Sequence, residues 1–137
     1  MAIENHIKEG IGEKASKAGS AVNFNGIWKN RLDSEMELTV DTDGDVIGKY
    51  RTGVGKPAPT EEFDLKGFVS GDLIVFCVNF GKYGSLTSWA GQHTLDNNGK
   101  EKIFTLWHLA RNIKDEEEED KLWAGILAGA NEYHRAK

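Results

Sequence analysis

From Gly26 onward the chain alternates between apolar and polar residues with a period of two, and this alternation is what most constrains its fold. Such alternation, in segments rich in β-branched and aromatic residues, predicts half-buried β-strands. The predicted strands are Gly26–Leu32, Glu35–Thr42, Val46–Thr52, Glu62–Val69, Leu73–Phe80, Ser85–Leu95, Glu101–Asn112 and Lys121–Asn131, the last of which is also compatible with a helix.

Short turns join the consecutive strands. Asp43-Gly44 and Asn98-Gly99 supply the positive φ that tight hairpin turns require. The sequence lacks both a long crossover and a βαβ rhythm, so a parallel sheet is disfavoured. We therefore predict an all-β fold, an eight-stranded antiparallel up-and-down β-barrel or a sandwich. The interior of an eight-stranded barrel is just wide enough for one small ligand.

The first 23 residues differ in character from the rest. Apolar residues fall there at helical spacing, but Gly10, Gly12 and Gly19 weaken any helix. We expect residues 1–23 to form a disordered or weakly helical tail, in preference to a docked amphipathic helix, and residues 24–137 to form the barrel domain. No continuous apolar segment follows Met1, so no secretory signal is visible.

The composition of the chain disfavours some classes of binding partner. Its 137 residues suit one domain, and its net charge of -5 disfavours nucleic acid or an anionic membrane as a partner. The acidic run at residues 115–120 is expected to be a solvated loop, not a metal site. Cys77 has no second cysteine to pair with. We expect it to face outward or into an interface, and favour a buried small hydrophobe over an intermolecular disulfide.

Alternation also sorts the side chains of each strand into two faces. If the faces that carry the aromatic residues line the interior, the interior also contains uncharged polar groups: Asn30, Ser34, Tyr50, Thr52, Ser85, Thr87 and Asn131. These groups donate and accept hydrogen bonds but provide no general base and no activated nucleophile, so we do not expect an enzyme. The four histidines have no metal-ligand spacing, and His93 and His108 are expected to point outward. An inert core is the alternative, but so many buried polar groups favour a barrel that binds a small molecule.

Five blocks, in order, resemble the avidin and streptavidin family. They are Gly26–Thr39, Gly48–Gly55, Ser85–Gln92, Thr105–Leu109 and Trp123–Asn131. The most specific parts are Trp-Ala-Gly-Gln at residues 89–92 and the interval from Trp123 to Asn131. The resemblance implies the closed eight-stranded barrel, and high-affinity, non-covalent binding of biotin with no cofactor or metal. The alternative is a barrel of this family that binds another small neutral cyclic ligand, with weak or no biotin binding.

The resemblance also implies roles for the polar set. Three of its members, Asn30, Ser34 and Tyr50, match donors to the ureido oxygen of biotin, and Thr52 and Asn131 match acceptors for its N–H groups. Thr87 matches the hydroxyl that faces the thioether sulfur, and Ser85 one that binds the valerate carboxylate. The complete predicted biotin site is Asn30, Leu32, Ser34, Tyr50, Thr52, Val54, Lys56, Phe80, Ser85, Thr87, Trp89, Trp107, Leu109, Trp123 and Asn131.

Two members of this site have special positions. Lys56 lies in the loop expected to close over the ligand carboxylate, which its side chain or backbone N–H would assist. Trp123 matches the tryptophan that, in tetrameric relatives, caps the ligand of the neighbouring subunit. The resemblance therefore implies a homo-oligomer, a tetramer in preference to a dimer, although a loop tryptophan without a partner is the alternative. It also implies a secreted or periplasmic protein that sequesters biotin or biotinylated molecules.

Overall fold

The computed structural model describes residues 22–53, 55, 57–58, 60–113 and 122–136, with only the backbone described at residues 122 and 123. This part of the chain forms eight strands: β1 (Gly26–Lys29), β2 (Glu35–Val40), β3 (Asp45–Arg51), β4 (Phe63–Ser70), β5 (Leu73–Phe80), β6 (Ser85–Leu95), β7 (Glu101–Arg111) and β8 (Ile126–Arg135). Each strand pairs antiparallel with the next, and β8 pairs with β1, so the sheet closes. The predicted all-β barrel is confirmed, and the sandwich alternative is wrong.

The largest error in the predicted strands concerns β8. The sequence predicted a strand over Lys121–Asn131, whereas β8 spans Ile126–Arg135 and follows a short 3-10 helix over Leu122–Gly125. Residue 121 lies outside the described part of the chain. The C-terminal half of the strand was missed because its alternation is masked by polar residues such as Glu132 and His134.

Apolar side chains fill the barrel at the end where β1 begins and β8 ends. Phe24, Trp28 and Ile103 are buried there, and the indole Nε1 of Trp28 donates to the Phe24 carbonyl oxygen at 3.0 Å. Farther along the axis, the rings of Phe76 and Trp89 stack with their centroids 4.9 Å apart. The polar groups of interest therefore lie at the opposite end of a barrel whose first half is solidly packed.

The sheet closes through a short seam. β1 and β8 are paired over only two residue pairs, Trp28 with Arg135 and Lys29 with His134. Neighbouring strands elsewhere pair over longer stretches, as between β6 and β7, where the ladder runs from Ser85 to Leu95. Beyond Lys29 the two strands are therefore no longer paired.

The expected outward positions are correct for His108 and wrong for His93. His108 is exposed, but the His93 side chain is only 11% exposed and its Nε2 lies 2.9 Å from Glu101 Oε1. His93 and Trp89 are four residues apart and therefore share the inner face of β6. Cys77 does face outward as expected, and in the single chain it is exposed, not buried. Within the described residues, no helix is long and apolar enough to span a membrane.

Candidate functional site

Asn30 organises the turn that follows β1. Its side-chain Oδ1 accepts hydrogen bonds from the backbone N–H groups of Leu32 and Ser34, both at 3.0 Å. The Ser34 Oγ in turn accepts from the Gly53 N–H at 3.0 Å, which joins this turn to the end of β3. A Cβ at position 53 would overlap the Leu32 carbonyl oxygen, so glycine is required there. The turn holds the Asn30 and Ser34 side chains at one end of the barrel.

The next feature is a pair of buried phenols. The hydroxyl oxygens of Tyr50 and Tyr133 lie 2.7 Å apart, and the two residues are 3% and 0% exposed. Burial raises the pKa of Tyr50, opposed by hydrogen bonds with Tyr133 and Ser34. Burial also raises the pKa of Tyr133 well above its usual range, opposed by hydrogen bonds with Asn30 and Asn131. Both phenols are therefore neutral at physiological pH.

Asn131 is held on the other side of this pair. The Thr105 hydroxyl lies 2.8 Å from the Asn131 carbonyl oxygen and 2.7 Å from its side-chain Oδ1, as donor to both. We call the four side chains of Asn30, Tyr50, Asn131 and Tyr133 the polar floor. Each of its members is uncharged, so the floor favours a neutral polar group over an ion.

Aromatic rings flank the polar floor. Trp89 is 5% exposed, with its ring 5.1 Å from that of Tyr50, and Phe80 lies 6.0 Å from Tyr50 on another side. Trp107 pairs with Trp89 across β6 and β7 and is half-buried. Its indole lies against Gly129, where any Cβ would overlap the ring. These rings would enclose a flat ligand on its apolar faces.

Two polar atoms among these walls are buried without a partner. They are Thr87 Oγ1 and Trp89 Nε1, and in the described part of the chain neither makes a hydrogen bond. Leaving such an atom unsatisfied costs about 1–3 kcal/mol. Proteins rarely tolerate this in an ordinary core, so both atoms are candidates to bond with a ligand.

The remaining predicted site residues lie around the open end. Thr52, Ser85 and Leu109 are half-buried near the ends of β3, β6 and β7, whereas Leu32 is 58% exposed. A cavity of about 360 Å³ opens at the seam and is lined by Asn30, Arg31, Leu32, Phe104, Ala130, Asn131 and Glu132. Val54, Lys56 and the Trp123 side chain lie outside the described residues.

Sequence reasoning missed Tyr133 and the role of Thr105. Tyr133 escaped notice because the predicted strand stopped at Asn131, two residues short on the same face. Extending the alternation of β8 by one inward position would have found it. Thr105 shares a face with Trp107 but was left out of the predicted polar set, and its bond to Asn131 depends on the cross-strand register.

A sequence profile of the Avidin family matches residues 18–136. The chain belongs to the avidin family. This avidin-family chain is 30% identical over 116 residues to avidin-related protein 4/5 of Gallus gallus, covering 80% of this chain and 75% of that protein. It is 29% identical over 120 residues to avidin of Gallus gallus, covering 82% of this chain and 77% of that protein.

Solved structures agree with this avidin-family barrel. The crystal structure of xenavidin superposes with a TM-score of 0.73 at 28% identity, covering 84% of this chain and 98% of that one. The crystal structure of a rhizavidin–biotin complex superposes with a TM-score of 0.65 at 27% identity, covering 80% and 96%. Members of this family are binding proteins, and among the residues that the structure describes no group of three His, Cys, Asp or Glu side chains could hold a metal ion.

Proposed function

We propose that this protein binds biotin non-covalently and with high affinity inside the barrel. The observation that carries the proposal is the polar floor, which places uncharged hydrogen-bonding side chains, two of them phenols 2.7 Å apart, beside the Trp89 ring. Biotin presents a neutral cyclic urea on an apolar bicyclic body, and such a ligand needs both elements. Family membership and the biotin complex of the similar rhizavidin support the same ligand.

The chemistry of the floor suits a ureido group in detail. Asn30, Ser34 and Tyr50 would donate to the ureido oxygen, and Asn131, with Thr52, would accept from the ureido N–H groups. Because these groups are fixed before the ligand arrives, binding costs little ordering of the protein. Thr87 Oγ1, buried and unpartnered in the described chain, would face the thioether sulfur. Half-buried Ser85 at the mouth would bind the valerate carboxylate, with Lys56 assisting.

Isothermal titration calorimetry tests the proposal directly. We expect biotin to bind at one equivalent per chain with a favourable enthalpy. Lipoic acid, which shares the valerate chain but carries no urea, is the matched control ligand and should bind far more weakly. The absence of heat with biotin, or equal heats for the two ligands, would overturn the proposal.

A second candidate ligand class follows from the phenol pair. Because the Tyr50 hydroxyl is already bonded to Tyr133, the floor could be adapted to a neutral cyclic ligand other than biotin. The alternative is therefore weak or absent biotin binding, with another cyclic urea or amide as the ligand. Titration with 2-imidazolidinone, the bare cyclic urea, separates the two, because under the alternative it produces heat where biotin does not.

We also propose that the protein is a homo-oligomer, a tetramer in preference to a dimer. Support comes from large apolar side chains on the outer face of β6–β8, where Leu86, Phe104, Leu106 and Ile126 are all exposed in the single chain. Exposed apolar patches of this kind are typical of subunit interfaces. Size-exclusion chromatography with light scattering tests this, since a monomer at micromolar concentration would exclude both the interface and a capping role for Trp123.

We propose, finally, that the protein sequesters biotin outside the cytoplasm. This proposal is supported only by membership of the avidin family. Fractionation of the native host, followed by detection of the protein in each compartment, tests it, and a purely cytoplasmic protein would contradict it.

A further inference from the structure

Tyr133 is a buried residue whose hydroxyl lies within the polar floor, although the function proposed above gives it no bond to the ligand. Its oxygen is 2.7 Å from the Tyr50 oxygen, and either atom could donate that bond. The direction of the bond decides which way the Tyr50 proton points. It therefore decides whether the floor offers a ligand a donor or an acceptor.

The neighbours of Tyr133 determine this direction. Asn30 Oδ1 already accepts from two backbone N–H groups, so the Asn30 side chain can approach the Tyr133 oxygen only with its amide N–H. The bond from the Thr105 hydroxyl orients the Asn131 amide with Oδ1 toward Thr105, so its N–H group is the one that can donate to Tyr133. The Tyr133 oxygen thus accepts from amides on both sides. Its own proton must go elsewhere, and the Tyr50 oxygen is the acceptor within reach.

Burial raises the pKa of both phenols, so each keeps its proton. The pair therefore holds two hydroxyl protons, one for the bond between the two oxygens and one for a further acceptor.

We propose that Tyr133 is a positioning residue that commits the Tyr50 hydroxyl to donate its proton to a carbonyl oxygen of the ligand. The hydrogen bonds then run in one direction, from the amides of Asn30 and Asn131 to Tyr133, from Tyr133 to Tyr50, and from Tyr50 to the ligand. Each bond in such a chain polarises the next and strengthens the final donor. The inference rests on the proposed function, since the carbonyl oxygen is that of the biotin urea.

A double-mutant cycle on biotin affinity tests this role. Tyr133→Phe removes only the hydroxyl and keeps the ring that packs against Phe76, so we expect a folded protein with about tenfold weaker biotin binding. In a Tyr50→Phe background the same change should cost less than twofold, because Tyr133 acts through Tyr50. Tyr83→Phe, which removes an exposed hydroxyl bonded to Glu61, is the matched control and should leave affinity unchanged.

A second measurement separates positioning from a merely structural effect. An analogue of biotin with a protonated imino group in place of the ureido oxygen offers a donor where biotin offers an acceptor. Wild type should bind biotin more tightly than this analogue. Tyr133→Phe should reduce the ratio of the two affinities at least fivefold, because the Tyr50 hydroxyl becomes free to turn. Two results would overturn the inference without contradicting biotin binding. One is that Tyr133→Phe weakens the binding of both ligands equally. The other is that Tyr133→Phe weakens biotin binding by the same factor in wild type and in Tyr50→Phe.

A failure of the proposed function would give a different experimental result from a failure of this inference. If wild type gives no heat with biotin, the ligand assignment falls, and with it the final bond of the chain. The direction of the phenol pair is then decided by spectroscopic titration of the tyrosines without ligand. The pKa of Tyr50 should be higher in Tyr133→Phe than in wild type, and an unchanged or lower value would overturn the direction as well.

Discussion

Arg135 donates to both carboxylate oxygens of Glu101, from Nε at 2.6 Å and from Nη2 at 2.9 Å. The same guanidinium also donates to the carbonyl oxygens of Asn23 and Asn25, both at 2.7 Å, and lies 4.2 Å from the centre of the Trp28 ring. It therefore joins β7, β8 and the segment before β1 where the closing ladder has only two residue pairs. At this seam, side-chain hydrogen bonds hold neighbouring segments together, as backbone pairing does elsewhere in the barrel.

This ion pair predicts a pH dependence of stability. Hydrogen bonding by Arg135 lowers the pKa of Glu101 from 4.5 to about 2, against an opposing effect of burial and with further help from His93. Since the pKa is lower in the folded state, the pair stabilises the fold above about pH 4.5 and this contribution is lost as the pH falls toward 2. In urea unfolding, the stability advantage of wild type over Glu101→Gln should shrink across that window.

Asp64→Asn is the matched control for this experiment. Asp64 pairs with Lys49 on the surface and is well exposed, so its contribution is largely screened by solvent. We expect Asp64→Asn to unfold almost as wild type does at every pH. A difference between wild type and Glu101→Gln that stays constant from pH 7 to about 2 would contradict the seam interpretation.

Replacing Thr87 by valine should affect stability and binding in opposite directions. The Thr87 Oγ1 is buried and unpartnered in the described chain, so the isosteric Thr87→Val should stabilise the ligand-free protein by about 1 kcal/mol. The same change should weaken biotin binding several-fold, because the hydroxyl facing the ligand is gone. Chemical denaturation and calorimetry provide the two measurements.

Thr105→Val supplies the comparison, because the Thr105 hydroxyl has partners. It donates to Asn131, so its loss should destabilise the ligand-free protein by about 1 kcal/mol. Should the two valine variants change stability in the same direction, Thr87 would be an ordinary core residue and not a ligand-facing one.

Gly129→Ala should displace the Trp107 wall. A Cβ at position 129 would overlap the indole and lie 2.7 Å from its Cε2 atom, so the ring must move toward the interior. We expect biotin affinity to fall at least tenfold, with a loss of stability of about 1–3 kcal/mol. Adding Trp107→Phe should recover part of the stability, since the smaller ring leaves room for the methyl group. If the losses of unfolding free energy of the two single variants simply add in the double variant, the proposed clash is refuted.

Phe76 is a core residue whose truncation should strongly destabilise the barrel. It is fully buried and stacks on Trp89, so Phe76→Ala should cost about 3–5 kcal/mol of unfolding free energy. Phe68→Ala, at a largely exposed position of β4, should cost less than about 0.5 kcal/mol. Comparable losses for the two alanine variants in urea unfolding would contradict the assignment of the core.

Much of the fold was predictable because strand alternation is a local property. Six of the eight predicted strands agree with the observed bounds to within two residues, and the turns at Gly44 and Gly99 have the positive φ expected of them. β1 is shorter than predicted because the Asn30 side chain captures the backbone N–H groups of the following turn. A side chain that competes with backbone pairing in this way is not visible in the hydrophobic pattern.

The candidate site was harder to predict where it depends on register. Asn30, Ser34, Tyr50 and Asn131 were identified from strand faces and family resemblance, and the structure brings them to the same end of the barrel. The Tyr50–Tyr133 bond joins residues 83 positions apart, and no local pattern specifies such a contact. The inward position of His93 follows from the sequence alone, because His93 is four residues after the inward-facing Trp89 in β6.

Both termini of the described chain emerge at the end of the barrel remote from the polar floor. Trp28 pairs with Arg135 at that end, and the Ala136 N–H donates to the Ile27 carbonyl oxygen at 2.8 Å. Asn30 and Ser34 lie beyond the other end of β1. A reporter fused before Val22 or after Ala136 would therefore sit behind the barrel, and a protein tethered to a surface through either fusion would present its mouth to the solution.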